Sequence, residues 1–154
     1  MAEWSFDLTE YAKKKNVEIK EVRKAYAFAL YSSIVKKTPV DTGRARGNWN
    51  ISVGSADTST DDPSSYPTSY RKRQKKNAKS GKKTSRPAAK LKYKDPASIS
   101  TPDGDESIFI SNNLPYIESL EYGSSKQAPN GMVGVTLANN ENIFNAAVRS
   151  VRGE

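Results

Sequence analysis

The chain has 154 residues, a size that suits one domain with a modest core. It contains no cysteine and no histidine, which excludes disulfides, zinc–thiolate sites, cysteine nucleophiles and histidine acid/base chemistry. The formal net charge is +8, but residues 71–94 hold twelve Lys and Arg and no acid. The other 130 residues carry thirteen basic and seventeen acidic side chains, a net of −4. These counts predict a mildly acidic domain with one strongly basic insertion.

The first strongly periodic segment is residues 16–37, NVEIKEVRKAYAFALYSSIVKK. Asn16 is a candidate N-cap, and the wide apolar face predicts a largely buried helix, packed in its own domain or against a partner subunit. Thr38-Pro39 is expected to end this helix, because a residue that precedes proline avoids the helical region. A shorter helix is predicted before it, around residues 7–15.

Residues 48–53, NWNISV, alternate apolar and polar side chains, which predicts a half-buried strand. Residues 54–105 follow, rich in Ser, Thr, Asp, Lys and Pro and poor in large aliphatic side chains. Such a stretch buries too little apolar surface to offset its ordering entropy. We expect a long, flexible loop inserted within a single domain that spans residues 1–154.

Four more elements are predicted after this loop. A strand covers residues 107–112, and a short helix covers 114–123 before it closes at a glycine. An Asn-Gly turn leads into a third strand at residues 132–137, and a terminal helix covers 139–153. The predicted fold is α+β: a small antiparallel sheet packed against a long N-terminal helix and a C-terminal helix, with a long basic loop insertion.

Asp41-Thr42-Gly43 repeats the signature triplet of aspartic proteases, which need two such aspartates close enough to share a proton. Here the triplet follows a helix rather than a strand, and Arg44 and Arg46 favour an ionised Asp41. We therefore favour a turn. In it Asp41 caps backbone N–H groups, Gly43 adopts a conformation that other residues resist, and both arginines stay free to reach a partner.

Glu118 and Glu121 are expected to share one helix face, with Tyr116 and Tyr122 beside them. Glycosidases take their carboxylate pairs from separate elements across a cleft, so a solvated face or an ion pair at an interface is the commoner meaning of this spacing. A Ser–Lys nucleophile pair is left open, since no motif singles one out. No pattern indicates a cofactor or a metal site, and we expect the protein not to be an enzyme.

The basic segment, residues 71–94, has three interpretations. Its side chains could displace counterions from nucleic acid or dock on an acidic partner protein. The third interpretation is a solvated loop held extended by self-repulsion. The residues expected to contact DNA or an acidic partner are Arg71, Lys72, Arg73, Lys75, Lys76, Lys79, Lys82 and Lys83.

Two stretches carry a family resemblance. The first motif is TPVDTGRARGNW, residues 38–49, and the second motif is NNLPYIESLEYGSSKQAPNGMV, residues 112–133. With a long helix before the first and a terminal helix after the second, the chain resembles tailed-phage tail-completion or neck proteins, of the minor tail protein Z-like family. The basic segment is longer and more charged than that pattern requires, so the resemblance assigns it no role.

The resemblance implies a structural virion protein of the head–tail junction, which completes the tail, helps to join it to the head and forms a ring, most often six-fold. Implied partners are further copies of the chain, a tail terminator or tail tube protein, a head–tail connector or stopper protein, and the genomic DNA in the channel. No membrane is expected, because no segment approaches about 20 apolar residues. Assembly is expected in the host cytoplasm. The expected interface residues are Asp41, Arg44, Arg46, Trp49, Tyr116, Glu118, Glu121 and Tyr122.

Overall fold

A computed structural model describes residues 8–40, 43–61 and 92–154 of the chain, with the side chains described from residue 13 onward. Two predictions concern residues outside the described ranges: the turn predicted at Asp41, and the expected contact residues from Arg71 to Lys83. The centre of the expected loop also lies outside them, while both of its ends are described.

Helix α1 runs without interruption over Leu8–Lys37. The predicted break before Asn16 is wrong, and Asn16 is an internal residue of the helix rather than its N-cap. The segment around it contains neither proline nor glycine, and the side chains of Lys15 and Glu18 form an ion pair of 2.9 Å across the expected break. The predicted end is confirmed, since Thr38 donates from both its backbone N–H and its Oγ1 to the carbonyl of Ile34.

Strands β1, Asn50–Val53, and β2, Ile108–Ser111, pair antiparallel in a two-stranded sheet. Ile51 lies opposite Ile110, and Ser52 lies opposite Phe109. Both strands were predicted, within two residues at each end, from the alternation of their side chains. The apolar face packs on α1, as that alternation requires.

The remaining helices are short, except the last. Helix α2 covers Arg44–Gly47, α3 covers Ile117–Glu121, α4 covers Val133–Ala138 and α5 covers Asn140–Arg152. The predicted strand at residues 132–137 is wrong, because this segment forms α4. Its alternating valines suit a strand, but the Glu121 carboxylate caps its first backbone N–H groups and fixes a helical start.

The core lies where the second half of α1 meets the sheet and the segment before α4. Tyr31 and Val35 are fully buried there, as is Met132. Other members of the cluster are Ala27, Ile34, Trp49, Ile51, Ile99 and Ala128. The α+β prediction is thereby confirmed: a long N-terminal helix packs against both a small antiparallel sheet and the C-terminal helix.

Both described ends of the expected loop pack on the domain. The buried side chain of Asn50 donates to the carbonyl of Ser59 and accepts from Lys92 Nζ. Lys92 Nζ also lies 3.7 Å from the carboxylate of Asp61. On the polar face of β1, Asn50 is therefore buried, while Ser52 is only partly buried.

Helix α5 packs along the first half of α1. The rings of Tyr26 and Phe144 meet edge-on with centroids 5.3 Å apart, and Arg152 Nε lies 3.0 Å from a carboxylate oxygen of Glu18. We call α1 and α5 the helix pair. Within the described parts of the chain, no helix is both long enough and apolar enough to cross a membrane.

Candidate subunit interface

The two motifs meet in space although more than 60 residues separate them in the sequence. The side-chain amide of Gln127 pairs with the backbone of Val40: its Nε2 donates to the Val40 carbonyl and its Oε1 accepts from the Val40 N–H, both at 3.1 Å. Such a pair reproduces the two hydrogen bonds that a neighbouring strand would make. Gln127 of the second motif therefore fixes the chain where it leaves α1.

Asn112 makes a second connection between the motifs. Its Nδ2 donates to the carbonyl of Ala45 in α2 at 2.9 Å, while its Oδ1 accepts from the N–H of Leu114 at 3.2 Å. One amide side chain thus donates to a carbonyl of the first motif and accepts from a backbone N–H of the second. We call the two motifs, joined in this way, the motif unit.

Trp49 lies inside the motif unit, not on its surface. It is only 5% exposed, and its Nε1 donates to the buried Thr38 Oγ1 at 2.8 Å. Thr38 in turn donates to Ile34, so the indole is tied to the last turn of α1. Trp49 was expected at a subunit interface, but its ring is already buried within its own chain.

Arg46 stabilises the C-terminal end of α1. Its Nε donates to the Thr38 carbonyl at 2.7 Å and one Nη donates to the Lys36 carbonyl at 3.0 Å. A guanidinium at this position satisfies carbonyls that have no partner within the helix and offsets the negative end of the helix dipole. The expectation that Arg46 stays free to reach a partner is therefore wrong.

Glu121 plays the corresponding role at the N-terminal end of α4. Its carboxylate accepts from the backbone N–H groups of Met132, Val133 and Gly134 at 2.8–2.9 Å. Burial alone would raise the pKa of this carboxyl, but the three N–H donors outweigh burial and hold the pKa below its ordinary value of 4.5. Glu121 was expected at an interface with other subunits, and its carboxylate is instead bound within the chain.

Two glycines allow α3 to approach the turn before α4. A Cβ on Gly123 would lie 2.4 Å from the carbonyl oxygen of Pro129, and one on Gly131 would lie 2.3 Å from that of Glu121. Both glycines also have a positive φ, of 86° and 81°. The Gly131-Met132 and Glu121-Tyr122-Gly123 steps of the second motif therefore have a steric explanation. Gly43 in the first motif has a φ of 88°, as predicted for its turn.

Four of the expected interface residues lie at the surface of the motif unit. Tyr122 is 81% exposed, Tyr116 is 38% exposed and Glu118 is exposed. Arg44 is half-buried, and its guanidinium carbon lies 5.9 Å from the centre of the Tyr116 ring, within reach of a cation–π interaction. The structure thus leaves an aromatic, partly charged surface on α3 and α2.

Two depressions lie in this region, and Pro39 and Gln127 line both of them. One has a volume of about 300 Å³ and carries Lys36, Lys37 and Val135 on its walls. The other has a volume of about 220 Å³ and is lined by Arg44, Tyr116 and Leu120, among others. We call the depressions, together with Tyr122, the junction surface.

Asn112 and Gln127 were not singled out from the sequence, and neither were Asn48 and Asn50. All four carry amides that bond backbone groups of distant segments; Asn48, for example, accepts from the N–H of Asp61 at 2.6 Å. An amide placed between the apolar residues Trp49 and Ile51, as in NWNISV, is the signal that could have identified Asn50. No comparable pattern marks Gln127.

Of the basic segment, the structure describes only Lys92, Tyr93 and Lys94. Tyr93 packs edge-on against Tyr31 with ring centroids 5.6 Å apart, and the backbone N–H of Lys92 donates to the hydroxyl of Tyr31. The last residues of the segment are therefore part of the domain. The eight residues from Arg71 to Lys83 expected to contact DNA or a partner stay a prediction.

Among residues 8–40, 43–61 and 92–154, no group of three or more His, Cys, Asp or Glu side chains could hold a metal ion. Comparisons of the chain with protein-family models, with curated proteins and with solved structures gave no match. Any assignment of function therefore depends on the two motifs and on the geometry that joins them.

Proposed function

We propose that the chain is a structural subunit of the head–tail junction of a tailed bacteriophage. In this proposal it completes the tail and helps to join it to the head, as a ring of about six copies. One face of the ring contacts a tail terminator or tail tube protein, and the other contacts a head–tail connector or stopper protein. Its place is the neck of the virion, after assembly in the host cytoplasm.

One observation carries the proposal: the residues of the two motifs are in direct contact. The Gln127–Val40 pair and the Asn112–Ala45 hydrogen bond each join one motif to the other. Two unrelated stretches that resembled a family by chance would have no reason to build one unit. The contact therefore supports treating the resemblance as a property of one structural module.

The surface of the module supports a binding role. Tyr122 exposes most of its ring, and the half-exposed Val135 and Tyr116 lie at the walls of the two depressions. Tyrosine is enriched in protein interfaces, since its ring gives a large contact area and its hydroxyl tolerates water in the free state. The junction surface is our candidate for the contact with a neighbouring subunit.

The proposal is tested by native mass. Multi-angle light scattering at several concentrations would measure the protein alone, and then after incubation with purified phage tails that lack this subunit. We expect a ring of about six chains, either in the free protein or only on the tails, where electron microscopy would show it at one end. A strict monomer at every concentration that also fails to bind tails would contradict the proposal.

DNA binding through the basic segment is a second candidate function. One observation favours it: Asp61 and Lys92, which flank residues 62–91, are held within 3.7 Å of each other by their charged groups. The domain therefore receives both ends of that stretch at one place on its surface. Affinity for generic duplex DNA that falls steeply between 50 and 200 mM salt, as expected for several phosphate contacts, would support this function.

A variant that replaces residues 62–91 with a short glycine–serine linker separates the two functions. Because Asp61 and Lys92 are already close, the domain is expected to fold with an unchanged circular dichroism spectrum. Loss of DNA binding with normal capture by tails would assign the basic segment to DNA alone. Loss of tail capture with the fold intact would assign it to assembly.

A further inference from the structure

Strand β2 forms an open edge of the sheet. The backbone N–H of Gly54 donates to the carbonyl of Ser107, and hydrogen-bonded pairs alternate along an antiparallel ladder. Phe109 and Ser111 therefore bond to β1, whereas the backbone groups of Ile108 and Ile110 point away from it. No hydrogen bond to those outward groups occurs within the described residues.

Strand β1 is more deeply buried than β2. On β1, Ile51 is only 2% exposed and Asn50 is fully buried, because the core and the two ends of the loop pack on this strand. On β2, Ile108 and Ile110 are only half-buried and Phe109 is 36% exposed. The β2 strand is thus the more accessible of the two to an added strand.

The sequence of this edge is a palindrome, Ser107-Ile108-Phe109-Ile110-Ser111. A second copy placed antiparallel about Phe109 would therefore meet identical residues in matching positions. Ile108 would face Ile110 of the second copy as a hydrogen-bonded pair, on both sides of the centre. Phe109 would face Phe109 as a non-hydrogen-bonded pair, whose side chains lie closer together.

The charges nearby permit this register. The pairing is confined to residues 107–111, since Arg23 of α1 donates to the Glu106 carbonyl on one side and the Asn112 amide is bonded to Ala45 and Leu114 on the other. No like charges meet across the two-fold axis in the five central positions, all of which are uncharged. Natural edge strands that avoid such pairing commonly carry a lysine or a proline, and β2 has neither.

We propose that two copies of the chain pair through β2 in this register, which gives a continuous four-stranded antiparallel sheet with Phe109 at its two-fold axis. The occupant of the free edge is thus a second copy of this chain. The contact is short, so the pair is weak and depends on concentration; stable interfaces bury about 1,600 Å². A two-fold contact is isologous and cannot close a ring, so it is separate from the ring contacts proposed above.

A single cysteine tests the geometry, because the chain has no other cysteine. In a non-hydrogen-bonded pair the two Cα atoms are about 4.5 Å apart, within the range that a disulfide spans. Phe109→Cys is therefore expected to form a covalent dimer under mild oxidation much faster than Leu137→Cys, whose parent residue is more exposed at 49%. Equal or slower dimer formation by Phe109→Cys would overturn the proposal.

A charge swap gives an independent test that needs no covalent bond. Phe109→Lys and Phe109→Glu should each abolish the species of two chains in sedimentation equilibrium, since like charges would meet at the axis. An equimolar mixture of the two should recover dimers of one Lys and one Glu chain. If the mixture stays as monomeric as each variant alone, or if the single variants dimerise as the wild type does, the proposal is wrong.

The same variants distinguish this proposal from the proposed function. Phe109 does not line the junction surface, so ring formation and binding to tails are expected to survive in Phe109→Lys. A species of two chains that disappears in this variant supports the β2 contact whether or not rings form. Wild-type protein that shows no dimer at the highest soluble concentration contradicts it.

Discussion

The motif unit and the helix pair are stabilised in different ways. In the motif unit, polar side chains form hydrogen bonds with specific backbone groups. Arg46 binds the end of α1, Glu121 binds the start of α4, and Gln127 binds the backbone of Val40. In the helix pair, apolar side chains and surface ion pairs predominate, such as the Tyr26–Phe144 contact and the Glu18–Arg152 pair.

This difference shows in which of the two regions a substitution is tolerated and in which it is not. Apolar contacts between helices tolerate substitution when volume and pattern are kept. A hydrogen bond from a charged group to several backbone groups depends on one side chain at one position. The geometry of the motif unit is therefore specified residue by residue, which is what the proposed binding surface would require. In this account the helix pair serves mainly as its support.

The largest expected difference between the regions comes from two glycines. Gly131→Ala combines a left-handed backbone conformation with a contact of 2.3 Å to a backbone oxygen, and we expect a loss of about 3 kcal/mol or more in the free energy of unfolding. Gly153→Ala, at the end of α5, has the same conformation but no atom within 4 Å, so a loss of about 1 kcal/mol is expected. Urea unfolding measures both, and equal losses would contradict the account.

Glu121 should give the next largest effect. Glu121→Ala removes the acceptor of three backbone N–H groups, and we expect unfolding to become easier by about 2–3 kcal/mol. Glu118→Ala is the matched control on the same helix, because Glu118 is exposed and is expected to change stability by less than about 0.5 kcal/mol. A control that costs as much as Glu121→Ala would show that α3 itself, and not the cap, is responsible.

A pH dependence follows from the same carboxylate. The pKa of Glu121 is lower in the folded chain than its ordinary value of 4.5. Its contribution to stability is therefore fully present above about pH 4.5 and is lost as the pH falls through the lowered pKa. The difference in unfolding free energy between wild type and Glu121→Gln should be constant near neutral pH and shrink below pH 4.5. If the difference in unfolding free energy grew as the pH fell, it would contradict a lowered pKa for Glu121 in the folded chain.

The smallest effect is expected in the helix pair. Arg152→Ala removes an exposed ion pair with Glu18, which also binds Lys15, so stability should change less than in Gly131→Ala or Glu121→Ala. The change should decrease further in 1 M salt, because exposed charges are screened. Thermal unfolding at low and high salt measures it. A large loss of stability that persists in 1 M salt would mean that the helix pair depends on individual side chains as much as the motif unit does.

Much of the fold could be predicted from the sequence because the signals are local. Thr38-Pro39 ends α1 through a steric effect between neighbours, and the two strands show their alternation within four residues. The left-handed conformation of Gly43 was also predicted from its neighbours in the sequence. These features depend on residues that are adjacent in the chain.

The features that were not predicted depend on residues that lie far apart in the sequence. The segment that forms α4 has a strand-like composition, and the carboxylate of Glu121, 12 residues before Val133, caps the start of the helix that it forms. Arg46 and Glu121 are expected at a subunit interface, and the hydrogen bonds that each makes within the chain could not be read from the sequence. Their real partners are helix ends, and no sequence pattern shows that a helix terminus lies within reach.

One measurement tests most directly whether the motif unit is the binding module and the helix pair its support. Tyr122→Glu changes an 81% exposed residue of the junction surface, and Val17→Glu changes a 60% exposed residue of α1. Each variant is mixed with purified tails that lack the subunit, and the bound fraction is measured after sedimentation. The account predicts that Tyr122→Glu loses binding at unchanged stability while Val17→Glu binds as the wild type does. Normal binding by Tyr122→Glu together with loss in Val17→Glu would contradict it.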